Sequence, residues 1–230
     1  MPCFLLRSSE CIIQPHYIHF HQNIKESLGK RILDTADTLP TLGGRSKDRN
    51  RFLDKDRPMR KGYRPFCNRA IVYALIETGM RRAAVRNIDL ADVDFERRLI
   101  NVEEKGGRTH GYKISREGIA AIEDYVEDER TADFENWKSP ALFLSPATNT
   151  HGDGRFNSRV INTVFNDVCS LAGVQGHTPH SARHAMGRHL IEKTGNIAAV
   201  QRQLGHTNAA YSIQYSRVTD QELAEALDDR

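Results

Sequence analysis

Two arginines, one lysine, two histidines and one tyrosine stand in short motifs along this chain. They are Arg81 in Thr-Gly-Met-Arg, Lys105 in Glu-Lys-Gly-Gly, His180 and Arg183 in His-Ser-Ala-Arg, His206 in Leu-Gly-His, and Tyr215 further on. Cations can neutralise a pentavalent phosphate, an imidazole can take the proton of a tyrosine, and the tyrosine can attack. This is the set that transfer of a phosphodiester to a tyrosine without a metal requires.

The first arginine is expected just beyond the end of a helix. Pro65 is suited to a first helical turn, and apolar residues follow on a helical spacing up to Thr78. Gly79 is placed to end that helix. Arg81 then lies at the start of a second, short helical piece over residues 82–86.

The lysine is expected near the tip of a β-hairpin. Residues 93–95, 99–102 and 112–114 are short strand candidates, and Gly106 and Gly107 supply a turn between the last two. The pattern predicts a small antiparallel sheet with Lys105 at the turn.

Further helices are predicted on both sides of a turn-rich segment. Ser115 can cap a helix that runs to about Glu129. Residues 157–171 are amphipathic, and their apolar face comprises Val160, Ile161, Val164, Phe165 and Val168.

The second arginine and both histidines are expected at helix ends. Thr178 is an N-cap with proline next to it, so His180 opens a helix that ends at Gly195. His180 and Arg183 share a face in the first turn, where the helix dipole favours an anion. A further helix is capped by Asn196 and ends at Leu204, which puts His206 just after a glycine stop.

The N-terminal part lacks such patterns. Residues 1 to about 45 show no sustained periodicity and predict a surface segment. Residues 45–64 contain nine lysines and arginines against three aspartates, which suits contact with a phosphate backbone or, equally, a solvated linker. Residues 1–57 are therefore read as a short N-terminal segment with a basic linker, ahead of the part of the chain, residues 58–230, that carries the motifs.

Composition narrows the class of protein. The chain has 230 residues with 39% hydrophobic and 27% charged content, enough for one domain with a core. No apolar run approaches the roughly 20 residues that cross a bilayer. Its four cysteines are scattered without metal or redox spacing, which favours free thiols and a cytoplasmic protein. The predicted fold is mainly α with a small antiparallel β-sheet, an α+β class.

The motifs resemble those of the catalytic domain of tyrosine recombinases, the phage-integrase family. That family carries an arginine in Thr-Gly-x-Arg, a hairpin lysine, His-x-x-Arg, Leu-Gly-His and a nucleophilic tyrosine, and all six fall here in the same order over about residues 58–230. Two supporting positions depart from the common pattern, at Ala84 and Ala182. Tyr211 lies one helical turn before Tyr215, but the distance from His206 favours Tyr215.

The resemblance implies a role for each residue. Tyr215 attacks a DNA phosphate to form a 3′-phosphotyrosine and releases a 5′-hydroxyl, with His180 as the base and Lys105 as the acid. Arg81 and Arg183 would hold the non-bridging oxygens, to which His206 would donate. It implies double-stranded DNA as partner, a homo-tetramer on DNA, integration of mobile elements, and no cofactor, metal or membrane.

Alternatives remain open at this point. Family members usually carry a helical core-binding domain ahead of the catalytic one, and residues 1–57 are too few for it, so a short integrase, a fragment or a decayed gene are all compatible. A DNA-binding remnant without activity and a relaxing enzyme like type IB topoisomerases would share these residues. A metal hydrolase using His180 and His184 lacks the glutamate that the HExxH motif needs.

Overall fold

The computed structural model describes residues 16–42, 64–104, 107–145 and 152–205. It is mainly helical with one small antiparallel sheet, as predicted. The helices are α1 (His16–Leu42), α2 (Pro65–Thr78), α3 (Arg82–Asn87), α4 (Arg116–Tyr125), α5 (Thr131–Trp137), α6 (Ser158–Leu171), α7 (Pro179–Thr194) and α8 (Ile197–Leu204). The strands are β1 (Val93–Asp94), β2 (Leu99–Glu104) and β3 (Arg108–Lys113), with a 3-10 turn over Leu90–Asp92.

Helix α2 forms the centre of the core. Ile71, Val72, Ala74 and Leu75 are fully buried, and the helix packs against α1, α4, α6 and α7. A helix that is apolar on most of its surface needs neighbours on several sides. Its predicted bounds are confirmed, and Gly79 ends it with a φ of 67°.

The three strands form an antiparallel sheet in the order β1-β2-β3. The predicted hairpin is confirmed, although β3 begins at Arg108 rather than near residue 112. Leu99 pairs with Lys113 and Val102 with His110. Ile100, Val102 and Tyr112 are buried, so one face of the hairpin is anchored to the core.

The long helix α1 was not predicted. Ile32, Ala36 and Leu39 recur at helical spacing and are buried, where α1 packs on α2 and α6. Arg31 Nε donates to the carbonyl of Ala172 at 3.0 Å. The expectation of a surface segment is therefore wrong for residues 28–41. Leu28 and Leu33 also pack against the core, so an apolar stripe exists here, but it follows a longer stretch of sequence without periodicity.

The helix after Ser115 does not end near Glu129. Helix α4 passes through a π-helical turn, Val126–Arg130, into α5. Glu129 turns inward and accepts hydrogen bonds from the backbone N–H groups of Phe66 and Cys67, both at 3.1 Å. Arg130 is also buried and donates to the carbonyl of Ala141 at 2.7 Å. The helical segment therefore continues to Trp137, and the side chains of Glu129 and Arg130 bond it to the start of α2 and to Ala141.

Helices α6, α7 and α8 match the prediction at their ends. Asn157, Thr178 and Asn196 each accept a backbone hydrogen bond as N-caps. Gly195 and Gly205 end α7 and α8 in the left-handed conformation. One detail differs: Val160, assigned to the apolar face of α6, is 39% exposed because it lies in the first turn, at the edge of the buried stripe. No helix in the described ranges is both long and apolar enough to cross a membrane.

Candidate active site

Arg183 is the point at which three of the sequence motifs meet. Its side chain is buried, and its Nη1 and Nη2 atoms donate to the carbonyls of Gly79 at 2.7 Å and Leu204 at 2.6 Å. These carbonyls lie at the C-terminal ends of α2 and α8, where helix carbonyls lack intrahelical partners and the dipole favours a cation. One guanidinium therefore joins the Thr-Gly-Met-Arg, His-Ser-Ala-Arg and Leu-Gly-His motifs.

Position 79 requires glycine for two reasons: side chains of α7 and α8 lie close to its Cα, and its φ is positive. A Cβ there would lie 2.6 Å from Cδ2 of Leu204 and 3.3 Å from Cβ of Met186. Such distances exclude a side chain unless neighbours move, so the end of α2 packs directly on α7 and α8. The φ of 67° adds a second reason, since it is unfavourable for residues with a Cβ.

Arg81 lies at the surface next to the junction at which the end of α2 packs on α7 and α8. It follows Gly79 by two residues and occupies the N-cap position of α3 with an extended backbone. Its side chain is exposed, whereas that of Arg183 is 5% exposed. The two arginines of the motifs thus differ: Arg81 is exposed to solvent, whereas Arg183 is buried and held by hydrogen bonds to backbone carbonyls.

His180 is exposed in the first turn of α7 and contacts His184 one turn later. The two Nε2 atoms are 2.9 Å apart, and the rings meet edge to face at a centroid distance of 4.4 Å. A hydrogen bond between two imidazole nitrogens needs one donor and one lone pair. Burial lowers the pKa of His184, and the nearby His180, Arg188 and Arg183 lower it further. His184 is therefore suited to act as the neutral partner of His180.

Two residues that the sequence did not indicate lie beside the junction. Glu77 directly precedes the first motif and accepts hydrogen bonds from the Ser115 hydroxyl at 2.9 Å and the Ser115 backbone N–H at 3.2 Å. Gln203 directly precedes Leu204 and bonds to β3. Adjacency to a motif is the only sequence signal that either residue carries.

The described residues contain three of the six predicted site residues, Arg81, His180 and Arg183. Lys105, His206 and Tyr215 lie outside them, as does Tyr211. Residues 219–227 also lie outside them; there the capping box from Thr219 to Glu222 predicts a last, amphipathic helix. Strand β2 ends at Glu104 and α8 is capped by Gly205. The assignment of the six residues to one site therefore stays a prediction.

In the four described ranges, no group of three or more His, Cys, Asp or Glu side chains is arranged to hold a metal ion.

Comparison with known proteins identifies relatives. The model of the phage integrase family matches residues 47–222. The tyrosine recombinase XerC of Corynebacterium glutamicum is 31% identical over 160 residues, which are 69% of this chain and 49% of that protein. XerD of Mycobacterium leprae is 31% identical over 161 residues, covering 69% and 50%. The chain spans about half the length of the curated relatives it matches.

Solved structures share the fold. The crystal structure of XerA recombinase aligns with a TM-score of 0.63 at 24% identity, over 89% of this chain and 63% of that one. XerH recombinase bound to its difH substrate aligns with a TM-score of 0.65 at 19% identity, over 87% and 52%. These likenesses concern the fold alone, whereas the family model covers well over half of the sequence. The chain therefore belongs to the phage integrase family.

Proposed function

We propose that this chain is the catalytic part of a site-specific DNA recombinase that cleaves and rejoins DNA through a 3′-phosphotyrosine. The observation that carries the proposal is the pair of hydrogen bonds from Arg183 to Gly79 and Leu204. They bring together three motifs that are far apart in sequence, around one buried cation. Membership of the family supports the same reaction.

The arginines would bind the phosphate. A guanidinium carries five N–H donors in a rigid plane that matches the geometry of phosphate oxygens. In Arg183 two carbonyl bonds hold that plane in one orientation, so its donors are preorganised before the substrate arrives. Arg81, which is exposed two residues beyond Gly79, would bind a second non-bridging oxygen.

The remaining residues would move protons and form the covalent bond. The Tyr215 oxygen attacks phosphorus and passes its proton to His180. As the new bond forms, the bond from phosphorus to the 5′-oxygen breaks, and Lys105 donates a proton to that oxygen. His206 would donate a hydrogen bond to a non-bridging oxygen. The phosphotyrosine conserves the energy of the phosphodiester, so attack by a 5′-hydroxyl rejoins the strand without a nucleotide cofactor.

The partner proposed is double-stranded DNA. XerH, which shares this fold, was solved bound to its difH substrate. Recombination between two DNA sites would use a homo-tetramer, which we expect to be held by the amphipathic residues 219–227. Deletion of residues 218–230 should then reduce strand exchange more than cleavage.

Capture of a covalent adduct tests the proposal. The chain is incubated in EDTA with a pool of randomised duplexes, each nicked so that cleavage releases a short fragment and traps the enzyme. We expect adducts that survive denaturing electrophoresis and are absent for Tyr215→Phe. DNA binding without adduct from any member of the pool would favour the non-catalytic remnant. Cleavage without adduct that is absent in EDTA and returns with added zinc or magnesium would favour the metal hydrolase.

The relaxing enzyme is separated from the recombinase by a second assay. A topoisomerase-like protein would relax supercoiled plasmids without joining two DNA molecules. The recombinase proposal expects exchange between two duplexes that carry the captured sequence.

A further inference from the structure

The side chain of Gln203 occupies the outer edge of strand β3 as a neighbouring strand would. Its Oε1 accepts the backbone N–H of Lys113 at 3.2 Å, and its Nε2 donates to the Lys113 carbonyl at 2.8 Å. A primary amide has the same donor and acceptor as a peptide unit, so it can satisfy both edge groups of one strand residue.

The same amide also reaches helix α2. Gln203 Nε2 lies 3.3 Å from the carbonyl of Thr78, the last residue of that helix. One side chain at the end of α8 therefore contacts both β3 and the helix end that precedes Arg81.

A second contact lies further along β3. The Nε2 atom of His110 is 3.3 Å from the Gln203 carbonyl. Gly205, two residues after Gln203, also lies close to His110: a Cβ at Gly205 would be 3.1 Å from the His110 ring. The strand is thus attached to the end of α8 at residues 110 and 113.

These attachments lie close to Arg183. Gln203 directly precedes Leu204, whose carbonyl accepts the Arg183 hydrogen bond. If β3 moves relative to Gln203, it therefore also moves relative to the guanidinium of Arg183.

The hairpin of β2 and β3 projects beyond these attachments toward its turn. Without the attachment at Lys113, the contact at His110 would remain as a hinge. From His110 to Arg108 the strand extends about 7 Å, at about 3.3 Å per residue, so a rotation of about 10° there would move the turn by about 1 Å. Proton transfer needs heavy atoms within about 3 Å of each other, so a shift of this size would slow a proton transfer from a side chain at the turn.

We propose that Gln203 is a positioning residue, which holds the β2–β3 hairpin so that Lys105, which the sequence predicts near the hairpin turn, reaches the leaving oxygen beside Arg183. The inference rests on the proposed function for the role of Lys105. Gln203 itself touches no reacting atom.

A substrate whose leaving group needs no proton distinguishes a residue that positions the general acid from a residue that only stabilises the fold. In a 5′-bridging phosphorothiolate the bond from phosphorus to sulfur breaks, and the thiolate leaves without a proton. With the normal suicide duplex we expect Gln203→Leu to form adduct about 100-fold more slowly, the effect of a misplacement of roughly 1 Å. With the thio duplex it should approach the wild-type rate. Lys105→Ala should show the same pattern as Gln203→Leu, slow with the normal duplex and restored with the thio duplex. Arg183→Ala should stay slow with both duplexes.

Gln201→Leu is the matched control, because it makes the same substitution in the same helix, whereas the hydrogen bonds from that helix to β3 come from Gln203. Equal loss on both duplexes for Gln203→Leu, or no loss on either, would overturn the inference. If Lys105→Ala is not restored by the thio duplex, the acid role of Lys105 fails instead.

Amide hydrogen exchange decides the geometric claim without DNA. The Lys113 amide should lose protection in Gln203→Leu and keep it in Gln201→Leu, with both variants folded by circular dichroism. Unchanged protection at Lys113 would contradict the attachment even if no DNA were cleaved.

Discussion

Replacement of Arg183 should destabilise the fold, whereas replacement of Arg81 should not. Arg183→Ala removes two charge-assisted hydrogen bonds and leaves the carbonyls of Gly79 and Leu204 without that donor. An unsatisfied buried group costs about 1–3 kcal/mol. Two such groups lower the free energy of unfolding by about 4 kcal/mol as a central value. For a chain of this size that corresponds to a fall in Tm of about 8–16 °C.

Urea unfolding followed by circular dichroism measures this difference. Arg81→Ala is the matched control, because its side chain is exposed and surface substitutions usually change stability by less than about 0.5 kcal/mol. Both variants should lose the covalent adduct. Arg183→Lys should be intermediate in stability, since one ammonium cannot reproduce the fixed fork of a guanidinium.

Equal stability of the two alanine variants would refute the reasoning. It would mean that the carbonyl bonds of Arg183 contribute nothing to the junction of α2, α7 and α8. The preorganised orientation proposed for this guanidinium would then have no support.

Three further expectations follow from the geometry and charge. Gly79→Ala should lower Tm more than Gly195→Ala, because both have positive φ but only the first would bring a Cβ near Leu204; equal shifts would contradict the close approach. Burial raises the pKa of Glu77 while hydrogen bonds from Ser115 oppose the shift. Protonation of Glu77 therefore favours the folded state. The free energy of unfolding of the wild type should rise as pH falls through the folded-state pKa toward the ordinary value of 4.5. This rise should be absent from Glu77→Gln in pH-dependent urea unfolding. DNA affinity, measured by fluorescence anisotropy, should fall steeply with added salt because phosphate contacts release counterions, and a salt-independent affinity would argue against that mode.

Local signals predicted most of the helix ends. Proline at position 65, the caps at Thr178 and Asn196, and the glycine stops act within one turn of their own element, so sequence alone is sufficient to find them. Helix α1 was missed because its apolar stripe, which runs from Leu28 to Leu39, occupies a short part of an N-terminal region that otherwise lacks periodicity.

Long-range polar contacts explain the other differences. The π-helical turn after α4 follows from Glu129 and Arg130 turning inward to partners elsewhere in the chain. For the site, the resemblance named Arg81, His180 and Arg183, but nothing local showed that Arg183 would bond to Gly79 and Leu204. Gln203 was missed because its partner Lys113 is 90 residues away.

Identification of the residue that becomes attached to DNA tests the central claim most directly. Adducts trapped with the nicked duplex pool are digested with nuclease and protease, and the modified peptide is sequenced by mass spectrometry. The account predicts a 3′-phosphotyrosine at Tyr215, with the adduct lost in Tyr215→Phe and kept in Tyr211→Phe. An adduct on Tyr211 or any other residue, or none from the whole pool, would contradict it.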